Sequence, residues 1–172
     1  MARAARRKGR IDESMERIED CLSFLVGKAA QQVARRTREA LAPLGVTPVQ
    51  FAVLHVLWER DGQNRGGQNR GGHSGTELGA RLAMDSATVT GVVDRLEAAG
   101  LVTRRRDPGG DRRVQTVALT RRGREARGPL VRAVDALNAE IRGELGGDLE
   151  VALAVLGRLG RLEERERDSD VR

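Results

Sequence analysis

The run from Ser74 to Thr120 constrains this chain most, because it sets helix, turn, helix and hairpin in immediate succession. Ser74-Gly75-Thr76-Glu77 has the form of a capping box, which satisfies the free amides at a helix start. Leu78 and Leu82 stand four apart, on one face of that first helix. Met84-Asp85-Ser86 interrupts the pattern, and Asp85 or Ser86 can cap a second helix. In the second helix Val89, Val92, Val93 and Leu96 form an apolar stripe, and Gly100 after Ala98-Ala99 is a stop signal. The other face carries Ser86, Ala87, Thr88, Thr90, Gly91 and Arg95, residues small enough or polar enough for close approach to a nucleic acid.

Two β-prone segments follow, Leu101–Arg104 and Val114–Leu119, around the turn signal Pro108-Gly109-Gly110. From Leu101 to Arg127 there are nine arginines against Asp107, Asp111 and Glu125, a local balance of +6. The net charge of the whole chain is also +6, so the excess is concentrated at this hairpin, as a phosphate-binding footprint requires. Such a unit can lay one short helix in a DNA major groove while a basic hairpin reaches the groove beside it.

Composition narrows the remaining classes. With one Trp, two Phe and no Tyr, a core must rest on Leu, Val and Ala, which favours close helix packing over a large β-sandwich. No apolar run approaches the ~20 residues of a membrane span, and the basic start Met1–Arg10 lacks the apolar region of a secretory signal. The expected setting is therefore the cytoplasm. Cys21 is the only cysteine, so no internal disulfide can form. His55, His73 and Cys21 are too scattered for a zinc site, and no nucleophile–base–oxyanion set or phosphate-binding glycine loop is visible. Neither an enzyme nor a cofactor is expected.

The pattern predicts a basic disordered arm over residues 1–12, then a long helix from about Glu13 to Leu41 that ends at Pro43 and Gly45. Thr47-Pro48 starts a second helix reaching about Arg60. Gln63-Asn64-Arg65-Gly66-Gly67 is repeated at once as Gln68-Asn69-Arg70-Gly71-Gly72, a low-complexity segment expected to be a mobile loop. Arg65 and Arg70 could add phosphate contacts there. After the hairpin, Thr120 caps a helix to about Leu145 that Gly128-Pro129 can kink or restart, and Gly146-Gly147-Asp148 breaks the chain again. Leu149, Leu153, Leu156, Leu159 and Leu162 then mark a last helix whose apolar stripe a lone small domain cannot bury, so a partner helix is expected.

The second helix and hairpin resemble those of MarR-family winged helix-turn-helix regulators. The residues carrying the likeness are the run Ser86–Val102, Asp107-Pro108 with Asp111-Arg112-Arg113, and Val117–Gly123, with Leu44–Leu54 upstream. The resemblance as a whole covers roughly residues 15 to 165. The resemblance implies a mainly α fold with a small β-wing, a winged helix-turn-helix dimerised through N- and C-terminal helices. Residues 13–45 and 123–165 would then dimerise, residues 46–122 would bind DNA with 63–72 as a flexible loop, and 166–172 would be a tail. It also implies a repressor that binds double-stranded DNA at a palindromic operator as a homodimer, released by a small, anionic aromatic effector.

On that likeness Ser86, Thr88 and Thr90 would face the major groove, and Arg95 would meet a phosphate or an acid. Arg112 is the candidate for the minor groove, where narrow A·T tracts attract arginine. Asp111 would orient an arginine by a bidentate pair. Arg113 can exchange roles with Arg112, because Gly109-Gly110 adds a residue to the family's usual Asp-Pro-x-Asp-Arg-Arg. Effector candidates are Arg35, Arg36 and Arg38 on the first helix and His55 on the second. Two alternatives stand beside this reading: a winged-helix assembly module without specific DNA binding, and a thiol-based redox sensor. One branch of the family senses organic hydroperoxides through an N-terminal cysteine, which points to Cys21, although this chain lacks the tyrosines of that branch.

Overall fold

The helices form where apolar periodicity and end signals coincide. In this computed structural model, residues 17–63, 72–106 and 115–160 are described. The elements are α1 (Leu22–Leu41), α2 (Pro48–Gln63), β1 (His73–Ser74), α3 (Gly75–Leu82), α4 (Ser86–Ala98), β2 (Val102–Arg106), β3 (Gln115–Leu119), α5 (Arg121–Glu125), α6 (Arg127–Leu145) and α7 (Leu149–Leu159). Short 3-10 turns precede α1, follow it, and join α6 to α7. The chain divides into two compact units, one up to Arg36 and one from Thr37 onward.

In the first unit the helix begins at Leu22, later than the sequence suggests. A single 3-10 turn, Ile18–Asp20, ends at Cys21, whose extended backbone (φ −76°, ψ 109°) breaks any continuous helix there. Ile18, Leu22, Phe24, Leu25, Val26 and Val33 all remain exposed.

In the second unit one core joins α2 to the winged elements. Val53, Leu54 and Leu57 of α2 pack with Leu78, with the α4 stripe Val89, Val92, Val93 and Leu96, and with Val102, Val117 and Leu119 of the strands. The expected hairpin is present as β2 and β3, paired antiparallel from Val102↔Leu119 to Arg106↔Gln115. The sheet has a third strand, β1, beyond the two that the sequence predicts. It is only two residues long and pairs His73 with Val117 and Ser74 with Thr116, giving the order β1-β3-β2. A strand this short carries no alternation to read; long-range pairing alone makes it a strand.

The link from wing to α6 runs through Leu119-Thr120-x-x-Gly123. The Thr120 hydroxyl donates to Gly100 O (2.7 Å) and accepts the Gly123 N–H (3.0 Å), so it pins the end of α4 and caps α5 together. At Gly123 a Cβ would run into the Leu101 carbonyl, and the Gly123 carbonyl accepts the Trp58 indole N–H at 2.9 Å. Only glycine permits that approach. The expected helix from Thr120 to Leu145 is in fact broken at Ala126. Pro129 then lies in the first turn of α6, where an absent N–H costs no hydrogen bond.

Candidate nucleic-acid interface

The capping box forms as the sequence dictates. Ser74 Oγ accepts the Glu77 N–H (3.1 Å), and Glu77 Oε2 accepts the Ser74 N–H (2.7 Å). That backbone bond is the main reason the Glu77 carboxyl titrates below the ordinary range, with the Ser74 hydroxyl and Arg60 adding to it. α3 ends at Ala83 in the left-handed region (φ 50°), and the Met84 N–H donates to Gly79 O at 2.9 Å. A Cβ on Gly79 would stand 2.8 Å from the Met84 carbonyl, so glycine sets the tightness of the turn.

Asp85 caps α4. Its Oδ1 accepts the Thr88 N–H (2.8 Å) and its Oδ2 accepts the Thr88 hydroxyl (2.6 Å). The Thr88 hydroxyl leads the causes that hold the Asp85 carboxyl below its usual range. The Thr90 hydroxyl donates to Ser86 O (2.8 Å). Ser86, Thr88, Thr90 and Arg95 are all exposed, while Val89, Val92, Val93 and Leu96 are at most 3% exposed. With both threonine hydroxyl protons directed inward, Thr88 and Thr90 offer solvent their oxygen lone pairs and methyl groups. That chemistry suits base amino groups and thymine methyls.

The wing is fastened to α4 by one arginine. Arg104 of β2 donates through its guanidinium to Asp94 and to Glu97, and its backbone N–H donates to Glu97 Oε1 at 2.9 Å. The bond to Asp94 is the leading cause that raises the Arg104 guanidinium above its usual value, and the Arg104 backbone N–H leads in lowering Glu97. Arg124 of α5 pairs with Asp61 of α2 (3.1 Å), and Arg121 pairs with Glu125 (2.7 Å). Three of the nine arginines counted from sequence are therefore neutralised within the fold, which a charge tally cannot see. Arg105 and Arg106, at the free end of β2, are exposed without an ion-pair partner among the described residues. The charge count includes them without marking either as a contact, and it is their place at the end of β2 beside the turn that distinguishes them. Asp111, Arg112 and Arg113 lie outside the described residues.

A cavity of 440 Å³ opens between α2, α3 and α6. Its apolar wall is Phe51, Val56, Leu82, Val131 and Val134. Its polar rim carries His55, Glu59, Arg81, Asp135 and Asn138. Glu59 accepts from the Arg81 guanidinium and lies 3.1 Å from His55 Nδ1. The Phe51 ring centre is 5.7 Å from that of His55 and 6.0 Å from that of Trp58. His55 thus stands at the cavity mouth, half exposed, and not in the core. Arg38 does not line the cavity, and Arg35 and Arg36 belong to the first unit. Also in the first unit, the Cys21 Sγ lies 3.1 Å from the Ser23 hydroxyl, which leads in lowering the thiol. No single helix among the described residues is long and apolar enough to cross a membrane.

Known proteins share this arrangement. A sequence profile of the MarR family matches residues 46–114, from just before α2 to just before β3. The transcriptional regulator TtmR of Methylorubrum extorquens (strain PA1) is 36% identical over 141 residues, 82% of this chain and 65% of TtmR. A probable transcriptional regulator from Pseudomonas aeruginosa superposes with a TM-score of 0.72 at 31% identity, over 83% of this chain and 99% of that one.

The chain belongs to the MarR family.

Its fold is accordingly the winged helix-turn-helix of MarR regulators, mainly α with a three-stranded antiparallel sheet. A further relative is CouR of Rhodococcus jostii RHA1, solved with p-coumaroyl-CoA, with a TM-score of 0.70 at 28% identity over 86% of this chain and 94% of that one. CouR has also been solved on a 23-mer DNA duplex; that structure has a TM-score of 0.69, at 28% identity over 87% of this chain and 99% of that one. The chain spans just under two thirds of TtmR, and nearly all of each solved relative.

Proposed function

We propose that this MarR-family protein is a cytoplasmic repressor of transcription that binds a palindromic operator as a homodimer and is released by a small molecule. The observation that carries the reading is α4. Its apolar face is almost wholly buried, while the exposed face around its capped N-terminus presents the small and polar residues Ser86, Ala87, Thr88 and Thr90, with Arg95 further along and Asp94 engaged by Arg104. A protein-assembly surface would instead need exposed apolar side chains there. CouR, a relative of this fold, has been seen both on DNA and with a coenzyme A thioester, which supports a DNA reader that answers to a ligand.

In this reading residues 46–122 bind DNA. Ser86, Thr88 and Thr90 contact bases or phosphates in the major groove, Arg95 meets a phosphate, and Arg112 enters the minor groove. Asp111 orients the arginine pair and Arg113 takes the second place in it. Residues 13–45 and 123–165 dimerise, setting the two reading helices about one DNA turn apart. His55, with Arg35 and Arg38, belongs to the effector-responsive part. The test is footprinting of the purified protein on the DNA upstream of its own gene, with a salt titration. A protected palindrome that survives physiological salt is the expected result. Weak binding without sequence preference that vanishes with salt would leave only counterion release and turn the balance to an assembly role.

A further inference from the structure

The rim of the α2–α3–α6 cavity has an electrostatic sign of its own. Two carboxylates, Glu59 and Asp135, line it against one guanidinium, that of Arg81. Setting the imidazole of His55 aside, the rim carries one more negative than positive charge. The guanidinium is already committed, because Arg81 donates to Glu59. An anion seeking Arg81 would have to break that pair and then lie against two carboxylates. Asp135 has no ion-pair partner among the described residues, so a cation can take it without displacing anything. Phe51 lines the same cavity, and an aromatic ring is a surface on which a cation or an aromatic body can lie. The volume lies within the range of small-molecule sites, and the wall behind the rim is apolar.

We propose that this cavity takes an amphipathic cation, an aromatic amine whose ring lies on the apolar wall and whose ammonium pairs with Asp135 and shares Glu59. The inference rests on the ligand-responsive reading above and reverses the sign of the effector expected from the family likeness. It also gives the ligand a route to DNA. Glu59 ties α2 to α3 through Arg81, so a cation that draws on Glu59 weakens the tie on the first helix of the DNA-binding pair.

Calorimetric titration with tryptamine and with indolepropionate, which share ring and chain length but differ in charge, tests the class. Tryptamine is expected to bind once per chain and roughly tenfold or more tightly than indolepropionate, the scale of one well-placed charge pair. Asp135→Asn, at an exposed position that the fold does not need, should bring the two within a factor of about three. Equal or tighter binding of indolepropionate, indifference of tryptamine to Asp135→Asn, or no binding of tryptamine would each overturn the proposal. Operator occupancy read by gel shift in the same samples separates the two readings. If indolepropionate binds and releases DNA, the cation class fails and ligand control stands. If tryptamine binds through Asp135 and leaves occupancy unchanged, the class stands and ligand control fails.

Discussion

Helices α4 and α7 carry similar apolar stripes and meet opposite fates. On α4, Val89, Val92, Val93 and Leu96 are nearly inaccessible, closed over by α2, α3 and the sheet of the same chain. On α7, Val151, Leu153 and Leu156 remain 63%, 56% and 58% exposed. The stripe on α1 is open in the same way within its own unit, from Leu22 to Val33. Amphipathic periodicity states that a face must be covered, but not by what. The winged lobe completes its burial within one chain, whereas the terminal helices are left with apolar faces that, in the proposed homodimer, a second copy covers. One stability should therefore be a property of the chain and the other a property of its concentration.

The largest expected effect is at Leu96. Leu96→Ala should cost about 2–5 kcal/mol in urea unfolding, independent of protein concentration, because its site is fully enclosed. The matching change on α7, Leu156→Ala, should cost no more than about 0.5 kcal/mol in dilute protein. A concentration-independent loss at Leu156 as large as that at Leu96 would erase the contrast. Next in size is the double variant Leu153→Asp with Leu156→Asp. Charge on that face should weaken self-association by roughly a hundredfold or more in sedimentation equilibrium, since an unpaired carboxylate resists burial. An unchanged dissociation constant would mean that α7 is not the contact.

Arg112→Ala should weaken operator binding by about 1–3 kcal/mol while leaving the unfolding midpoint alone, which a gel-shift titration beside a melt would reveal. Ser74→Ala removes one arm of the capping box and should cost about 1 kcal/mol, lowering the melting temperature without changing the oligomeric state. The smallest effect is a pH dependence. His73 is 9% exposed, its Nε2 has no hydrogen-bond partner among the described residues, and Arg60 Nη1 lies 3.2 Å from its Nδ1. Burial first, and Arg60 second, hold the imidazole below its usual value. Below about pH 6.5 the unfolded chain takes up a proton that the folded one resists, so stability is lost as pH falls from there through the depressed folded value. His73→Gln should flatten the melting temperature across that window. An unaltered slope would place the dependence elsewhere.

Much of the winged lobe was legible because its signals are local. Ser74 and Glu77 are three residues apart, Asp85 caps the helix that starts beside it, and Gly100 takes the left-handed turn (φ 70°) its position suggests. Each is set by a few neighbouring dihedrals and one hydrogen bond, which a short stretch of chain fixes by itself. Gly128-Pro129 marked a kink or restart in this helix but not its place at Ala126, because that pair allows several geometries. The wing's charge was over-read for a related reason: Asp94, Glu97 and Asp61, which neutralise Arg104 and Arg124, sit on other elements.

The sequence by itself determined the succession of helix, turn, helix and hairpin, its caps, and which face of each helix is apolar, since these depend on spacing and short-range chemistry. Tertiary structure alone decided the rest. It made His73 and Ser74 a strand by pairing them with β3, and it locked the wing to α4 through Arg104. It also gathered Phe51, His55, Glu59, Arg81 and Asp135 from three helices around one cavity. Those features depend on which surfaces meet, and contact between distant segments is settled by the packing of the whole core and not by any local run of residues.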